Sequence, residues 1–185
     1  MIKGGVFGMQ NNMLHLYVGD GKGKTCSAYG LALRALGCGF KVAIFSFLKS
    51  PKSGEIKILK ELSKTNPLLS LNISDKEHGF YYTLSDTEKQ EVQSEVNDLA
   101  NKFEKSLKDN LFDLIILDEV IDAINLNLVC EEDFISLLKK RNAEIVLTGR
   151  NPSENLIDIA DYVSDVNKIK HPYDKGIPAR RGIEY

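Results

Sequence analysis

Net charge, long apolar runs and cysteine are all scarce in this 185-residue sequence. The formal net charge is only −2, which argues against a surface that coats nucleic acid, although a local basic groove is compatible with it. No apolar stretch approaches membrane-spanning length, and residues 1–13 lack a signal-peptide pattern. We therefore expect a cytoplasmic protein with no membrane and no nucleic acid among its partners.

The three cysteines, Cys26, Cys38 and Cys130, are odd in number and show neither a Cys-x-x-Cys motif nor a Cys/His metal spacing. This usage is typical of free thiols in a reducing compartment. We interpret Cys26, which follows the loop described next, as a small packing residue rather than a nucleophile.

A glycine-rich loop between a strand and a helix is the clearest motif that the sequence does contain. Residues 15–18 predict a short buried strand, and an Ala/Leu-rich helix is predicted from Lys24. Backbone N–H groups at such a bend, together with the helix N-terminus, attract phosphates. Lys24 would reach a terminal phosphate, and the Thr25 hydroxyl would bind Mg²⁺. The expected nucleotide-binding residues are Gly19, Asp20, Gly21, Lys22, Gly23, Lys24, Thr25 and Cys26.

The strict phosphate-loop pattern has glycine at the position of Val18. Gly19 and Gly21 can supply the same backbone freedom from shifted positions. The alternative, a glycine-rich turn with a chance lysine, is disfavoured by the strand before the loop and the helix after it. We therefore interpret this stretch as a nucleotide-binding loop.

Strands and helices alternate along the chain without a linker or a repeat. This alternation predicts an α/β domain with a mainly parallel sheet and helices on both faces, the RecA-like P-loop fold. We expect one domain over residues 13–185, after a flexible segment at residues 1–12. Strands are predicted at residues 15–18, 41–48, 68–73, 112–117, 144–148 and 162–169.

Two helix starts are predicted from local sequence. Ser85 and Glu88 match a capping box ahead of an apolar stripe. Pro152 is predicted at the first position of a later helix. The stripe consists of Val92, Val96, Leu99, Phe103 and Leu107.

Charged residues follow two of the predicted strands. Asp118 and Glu119 have the form of a Walker-B pair, which holds Mg²⁺ directly or through water; a helix-initiating acidic pair is the alternative. Arg150 offers several donors to a phosphate, although by itself it could equally be a surface arginine. Because ligands gather at the carboxyl ends of parallel strands, we expect these residues and the loop to meet around one nucleotide.

Three consecutive aromatics, Phe80, Tyr81 and Tyr82, follow Gly79. They cannot all point into the core. We therefore expect at least one of them to line a pocket or an interface.

Several motifs together resemble the P-loop class of bacterial ATP:corrinoid adenosyltransferases, from about residue 14 to the C-terminus. They are the loop at residues 19–25, the pair at residues 118–119, Leu-Thr-Gly-Arg at residues 147–150, and the tail at residues 170–177 and 181–185. The family's loop also lacks the first consensus glycine, which accounts for Val18. The tail combined with Thr-Gly-Arg is the most specific part of the resemblance.

The resemblance implies that the 5′-deoxyadenosyl group of ATP is transferred to the cobalt of reduced cob(I)alamin or a related corrinoid, with inorganic triphosphate as the second product. It implies that Lys24, Arg150 and Mg²⁺ stabilise the leaving triphosphate, and that Thr25, Asp118 and Glu119 form the metal site. Phe80 and Tyr82 align with aromatics that displace the lower axial ligand of cobalt, where the family usually has Trp at the position of Tyr82. A homodimer and a reduced, flavodoxin-like flavoprotein as electron donor are implied in the same way.

Functions of other classes remain alternatives. A generic P-loop ATPase or nucleoside kinase would release ADP, and a nucleic-acid-binding ATPase module would show salt-dependent DNA binding. A regulatory protein would bind ATP or corrinoid without turnover.

Overall fold

The computed structural model describes residues 12–74, 76–77, 79 and 81–184. Its strands are β1 (Leu14–Val18), β2 (Val42–Ser46), β3 (Leu69–Ile73), β4 (Leu114–Asp118), β5 (Glu144–Thr148) and β6 (Tyr162–Asp165). Its α-helices are α1 (Lys24–Gly37), α2 (Gly54–Thr65), α3 (Asp86–Lys108), α4 (Val120–Asn125), α5 (Glu131–Leu138) and α6 (Glu154–Ile159). Short 3₁₀ turns occupy Tyr81–Thr83 and Pro172–Lys175.

The six strands form one sheet in the order β3-β2-β4-β5-β1-β6, and every pairing is parallel. Strands β2 and β4 are buried along their whole length, as expected for strands covered on both faces. The predicted α/β fold with a parallel sheet is confirmed. The carboxyl ends of β1, β2, β4 and β5 consequently meet at one edge of the sheet.

Helices cover both faces of the sheet, and alternate residues of each strand point into different layers. On one face, Phe45 and Leu117 pack in a cluster with Phe103 of α3 and Phe134 of α5. On the other face, the buried side chains come from α1, α2 and the opposite strand positions: Ala28, Ala32, Ile44, Ile56, Leu59, Ile116 and Val146. The prediction of helices on both faces is therefore confirmed.

Of the two helix starts predicted from the sequence, one is found in the structure and the other is not. The capping box at α3 is present: the Glu88 N–H donates to Ser85 Oγ at 3.4 Å and the Ser85 N–H to Glu88 Oε2 at 2.8 Å. The predicted apolar stripe of α3 is buried as well. Helix α6, however, begins at Glu154, because Ser153 caps it by accepting the Leu156 N–H at 3.2 Å. Pro152 thus precedes the cap, and its predicted position inside the helix is wrong.

Three other local expectations need correction. Strand β6 ends at Asp165, before the predicted end at residue 169, because the chain then turns towards the phosphate loop. Helix α4, which was not predicted, begins directly after Glu119. Cys26 is exposed, since it lies off the buried face of α1, so its interpretation as a packing residue is wrong. Residues 1–11 of the segment expected to be flexible lie outside the described residues.

Within the described ranges, no helix is long and apolar enough to cross a membrane.

Candidate nucleotide and substrate cleft

A cleft of about 600 Å³ opens at the carboxyl ends of the strands. One part, the phosphate half, is lined by Lys24, Thr25, Glu119 and Arg150. The facing part, the aromatic rim, is lined by Gly79, Tyr81, Tyr82 and Leu84. The rest of the lining consists of Phe47, Leu48, Lys49, Ser50, Ser53, Ser74, Lys76, Val92, Glu95, Asp122, Leu126, Thr148, Gly149 and Glu184.

The phosphate loop is braced by the segment that follows β6. The Gly21 N–H donates to Val166 O at 2.7 Å, and the Lys168 N–H donates to Asp20 Oδ1 at 3.0 Å. Gly19 has a φ of +105°, and a Cβ there would lie 2.6 Å from Val166 O. Glycine is therefore required at position 19 by both backbone conformation and space.

Lys24 folds back over its own loop. Its ammonium donates to Gly19 O at 2.6 Å and to Gly21 O at 2.9 Å. Burial lowers the pKa of Lys24, as does the nearby Arg150, while Asp122 and other acidic groups act in the opposite direction. An anion in the loop would relieve the repulsion between the two cations and replace the carbonyl oxygens as acceptor.

Asp118 lies beneath the cleft with none of its surface exposed. Its Oδ1 accepts hydrogen bonds from the hydroxyls of Thr148 at 2.7 Å and Thr25 at 3.0 Å. Its Oδ2 accepts the Tyr29 hydroxyl at 3.0 Å. These contacts connect α1 to the ends of β4 and β5, and they orient the Thr25 oxygen.

Glu119 leaves the strand in the left-handed conformation, with a φ of 61°. Its N–H donates to Thr148 Oγ1 at 2.9 Å, and its side chain lines the cleft. Burial, followed by repulsion from Asp118, raises the pKa of Glu119 to about 7. The turn thus separates the acidic pair, with Asp118 below the cleft and Glu119 at its wall.

Lys49 is a cleft residue that the sequence analysis did not identify. Its ammonium lies 2.8 Å from Glu55 Oε1 and 3.9 Å from Asp118 Oδ2. Burial alone would lower the pKa of Lys49, but the Asp118 and Glu55 carboxylates outweigh it and raise the pKa. The sequence could have indicated Lys49 as a site residue, because it lies three residues past the end of a buried strand, at the same sheet edge as Asp118.

Arg150 is exposed at the cleft wall, and Asp122 of α4 lies near it. Burial raises the pKa of Asp122, and the charges of Arg150 and Lys24 partly offset this effect. Gly149 between β5 and Arg150 has a φ of +152°, and a Cβ there would lie 2.6 Å from the Ile121 Cβ. Close packing of Gly149 against α4 therefore fixes where Arg150 enters the cleft.

The aromatic rim contains one anchored and one largely exposed tyrosine, whose ring centroids lie 6.3 Å apart in an edge-to-face arrangement. Tyr81 packs against the core and has the Lys89 ammonium 5.9 Å from its ring centroid. Tyr82 exposes 84% of its surface. Phe80, which was also predicted to act here, lies outside the described residues.

The C-terminal segment reaches the cleft through Glu184. Lys22 lies 3.7 Å from Glu184 Oε1, and Arg180 donates to the same carboxylate. The hydrogen bonds from Arg180 lower the pKa of Glu184 to about 2. The tail is thereby attached to the phosphate loop.

Of the predicted site residues, the cleft brings together Lys24, Thr25, Glu119, Arg150 and Tyr82. Thr25 and Glu119 offer oxygen donors of the kind Mg²⁺ prefers; Mg²⁺ usually takes one or two carboxylates and completes its shell with water and substrate phosphates. Among the residues described, no group of three or more His, Cys, Asp or Glu side chains could hold a metal by itself. The donor set therefore fits Mg²⁺ bound together with a nucleotide. Gly19, Asp20, Gly21, Lys22, Gly23 and Cys26 lie in or next to the loop, outside the cleft lining.

Comparisons with known proteins show the family to which the chain is similar. Residues 10–185 match the protein family described as ATP:corrinoid adenosyltransferase BtuR/CobO/CobP. Corrinoid adenosyltransferase CobA of Salmonella typhimurium is 29% identical over 95% of this chain and 87% of its own length. The corrinoid adenosyltransferase of Pseudomonas aeruginosa is 28% identical over 95% of this chain and 85% of its own length.

A solved structure supports the fold alone. The flagellar accessory protein FlaH from Methanocaldococcus jannaschii superposes with a TM-score of 0.50 at 16% identity, over 83% of this chain and 70% of that one.

Proposed function

The chain belongs to the ATP:corrinoid adenosyltransferase family, and we propose that its cleft transfers the 5′-deoxyadenosyl group of ATP to the cobalt of a reduced corrinoid such as cob(I)alamin. The observation that carries this proposal is the pairing, within one cleft, of a cationic phosphate half with an aromatic rim. The cationic phosphate half would bind the triphosphate of ATP. The aromatic rim would contact the broad apolar surface of a corrin ring.

In the proposed reaction, the Co(I) lone pair attacks the ribose 5′ carbon. A Co–C bond forms as the C5′–O5′ bond breaks, and its electron pair leaves with the triphosphate. Cobalt is formally oxidised to Co(III), and the nucleophile has no proton to lose. The protein therefore needs groups that position the two substrates and stabilise the leaving anion, rather than a general base.

Lys24 and Arg150 are the cations that would stabilise the triphosphate. Lys24 would exchange the Gly19 and Gly21 carbonyls for phosphate oxygens, at a position where its charge is already close to that of Arg150. A guanidinium and an ammonium converging on one anion give charge-assisted hydrogen bonds, which are stronger than neutral ones.

Mg²⁺, when bound, would supply further positive charge to the triphosphate. Thr25 and Glu119 are the residues that would hold it, because both line the phosphate half. Asp118 would act on the same cation through Thr25, since its own oxygens already accept three protein hydroxyls.

Phe80 and Tyr82 would press against the corrin ring and displace the lower axial ligand, as the family resemblance implies. The exposure of Tyr82 leaves its ring available for a large substrate. A homodimer and a reduced flavodoxin-like electron donor are proposed on the same resemblance. A cytoplasmic location is proposed from the cysteine usage and the lack of long apolar runs, and a single domain over residues 13–185 after a flexible segment at residues 1–12 from the alternation of strands and helices.

An anaerobic assay tests the proposed function. Protein, ATP, Mg²⁺ and chemically reduced cob(I)alamin should yield light-sensitive adenosylcobalamin and inorganic triphosphate in equal amounts. Conversion of ATP to ADP with an unchanged corrin spectrum would instead indicate an ATPase or a kinase. Binding of both substrates without product would indicate a regulatory protein.

A further inference from the structure

Tyr29 contacts the most deeply buried acidic group of the cleft region. Its hydroxyl donates to Asp118 Oδ2 at 3.0 Å, while Thr25 and Thr148 donate to Oδ1. Each oxygen of the carboxylate is therefore held by at least one directed hydrogen bond. The Lys49 ammonium, at 3.9 Å from Oδ2, balances charge but lies beyond hydrogen-bond distance.

Thr25 and Tyr29 stand four residues apart in α1, so they occupy the same face of the helix. One helix thus holds both oxygens of Asp118, which prevents rotation of the carboxylate. Because the Thr25 hydroxyl donates its proton to Asp118, its lone pairs remain available to a cation in the cleft.

Packing alone does not account for a tyrosine at this position. The ring of Tyr29 belongs to the apolar cluster between α1 and the sheet, where phenylalanine would fill the same space. A buried hydroxyl needs a partner. The Tyr29 hydroxyl donates to Asp118, and the buried Ser46 hydroxyl is a second polar neighbour.

We propose that Tyr29 is a positioning residue for the cation site: its hydroxyl fixes Asp118, and Asp118 in turn directs the Thr25 oxygen towards the cation that accompanies ATP. Tyr29 itself touches neither substrate in this proposal. The inference rests on the proposed function only in taking Thr25 as a contact to that cation. Tyr29 would then belong to the general class of outer-shell residues that orient metal ligands.

The test compares wild type with Tyr29→Phe, using Mn²⁺ as a spectroscopically visible substitute for Mg²⁺. Electron paramagnetic resonance measures Mn²⁺ binding in the presence of ATP, and a separate titration measures ATP binding in EDTA. We expect Mn²⁺ to bind about 10-fold more weakly to the variant, in line with other outer-shell substitutions. ATP affinity without a cation should stay unchanged, a result that a merely loosened fold would not give.

Two further variants make the test specific. Tyr17→Phe removes a phenol hydroxyl in β1. Burial raises the pKa of Tyr17, with smaller effects of the Arg34 and Glu144 charges. This variant should bind Mn²⁺ like wild type. In an Asp118→Ala background, Tyr29→Phe should cause no additional loss, because the group through which it acts is absent.

Wild-type Mn²⁺ affinity in Tyr29→Phe would overturn the proposal. Equal losses of ATP affinity with and without the cation would also overturn it, because they would indicate a packing role. The proposed function fails separately: if wild type binds Mn²⁺ and ATP but never adenosylates the corrinoid, the effect of Tyr29 on cation binding still stands.

Discussion

Asp118, beneath the phosphate half, has no exposed surface and accepts three protein hydroxyls, whereas Tyr82 at the aromatic rim exposes 84% of its surface. The phosphate half is thus built in advance from strand ends and the first turns of α1. The rim has one anchored ring, Tyr81, and one largely exposed ring, Tyr82. This difference suits a reaction in which a small, highly charged group must be held rigidly and a large ring must enter and leave.

Removing the central cation of the phosphate half should have the largest effect. Lys24→Ala should lower the rate of adenosyl transfer by at least about 100-fold, since the loss of one preorganised charge stabiliser has effects of that size. The measurement is the initial rate of adenosylcobalamin formation under anaerobic conditions. Lys57→Ala, which removes an exposed charge of α2, serves as the control and should leave the rate unchanged. Equal rates in the Lys24 variant and wild type would contradict a preorganised phosphate half.

The close packing beneath the phosphate half can be tested by adding one methyl group. Gly149→Ala should lower the free energy of unfolding by about 2 kcal/mol or more, because the new Cβ meets Ile121 and the φ of +152° is unfavourable for alanine. Urea unfolding measures the change.

Gly30→Ala is the matched control for this substitution. Gly30 lies within α1, with no atom within 4 Å of a Cβ built there. The substitution should stabilise the protein by about 0.5 to 1 kcal/mol, because alanine is the better helix former. Equal changes in the two variants would show that position 149 is not closely packed.

Glu119 makes the phosphate half sensitive to pH. Its pKa of about 7 in the folded protein lies above its value of 4.5 in an unfolded chain. Between these values the folded state binds more protons, so stability decreases as pH rises from about 5 to 8. In the absence of a divalent cation, the free energy of unfolding of Glu119→Gln should therefore fall less over this pH range than that of wild type, by on the order of 1–2 kcal/mol.

The same shift predicts that Mn²⁺ binding in the presence of ATP becomes stronger as pH rises through 7, because the cation requires the ionised carboxylate. Urea unfolding and Mn²⁺ titration between pH 5 and 8 measure the two effects. A Glu119→Gln variant with the wild-type pH dependence would show that another group titrates.

The smallest change in stability is expected at the rim. Tyr82→Ala should alter the free energy of unfolding by less than about 0.5 kcal/mol, because the side chain is exposed. Tyr81→Ala should lower it by about 1 to 2 kcal/mol, because that ring is packed against the core. Tyr82→Ala should nevertheless slow adenosyl transfer while leaving ATP affinity unchanged. Equal stability losses in the two variants would remove the distinction between the anchored ring of Tyr81 and the exposed ring of Tyr82.

Much of this architecture could be predicted from local sequence. The continuous apolar runs of β2, β4 and β5 identify buried strands, and Lys24-Thr25 after a glycine loop identifies the start of α1. Because all these strands are parallel, their carboxyl ends converge, and the meeting of the loop with Arg150 follows from topology.

What could not be predicted depends on side-chain direction. Asp118 and Glu119 are equivalent in the sequence, and only the left-handed turn at Glu119 directs one below the cleft and the other to its wall. The contact of Tyr29 with Asp118 spans 89 residues and has no local signal. Helix α4 has only six residues, too few for a periodic pattern.

The fate of the oxygen that bridges C5′ and the α-phosphate tests the central claim most directly. ATP with an oxygen isotope at that position, reacted anaerobically with reduced corrinoid, should give inorganic triphosphate that carries the label, because the C5′–O5′ bond breaks. A label that stays with the nucleoside, accompanied by ADP or phosphate, would contradict adenosyl transfer and indicate phosphoryl transfer instead.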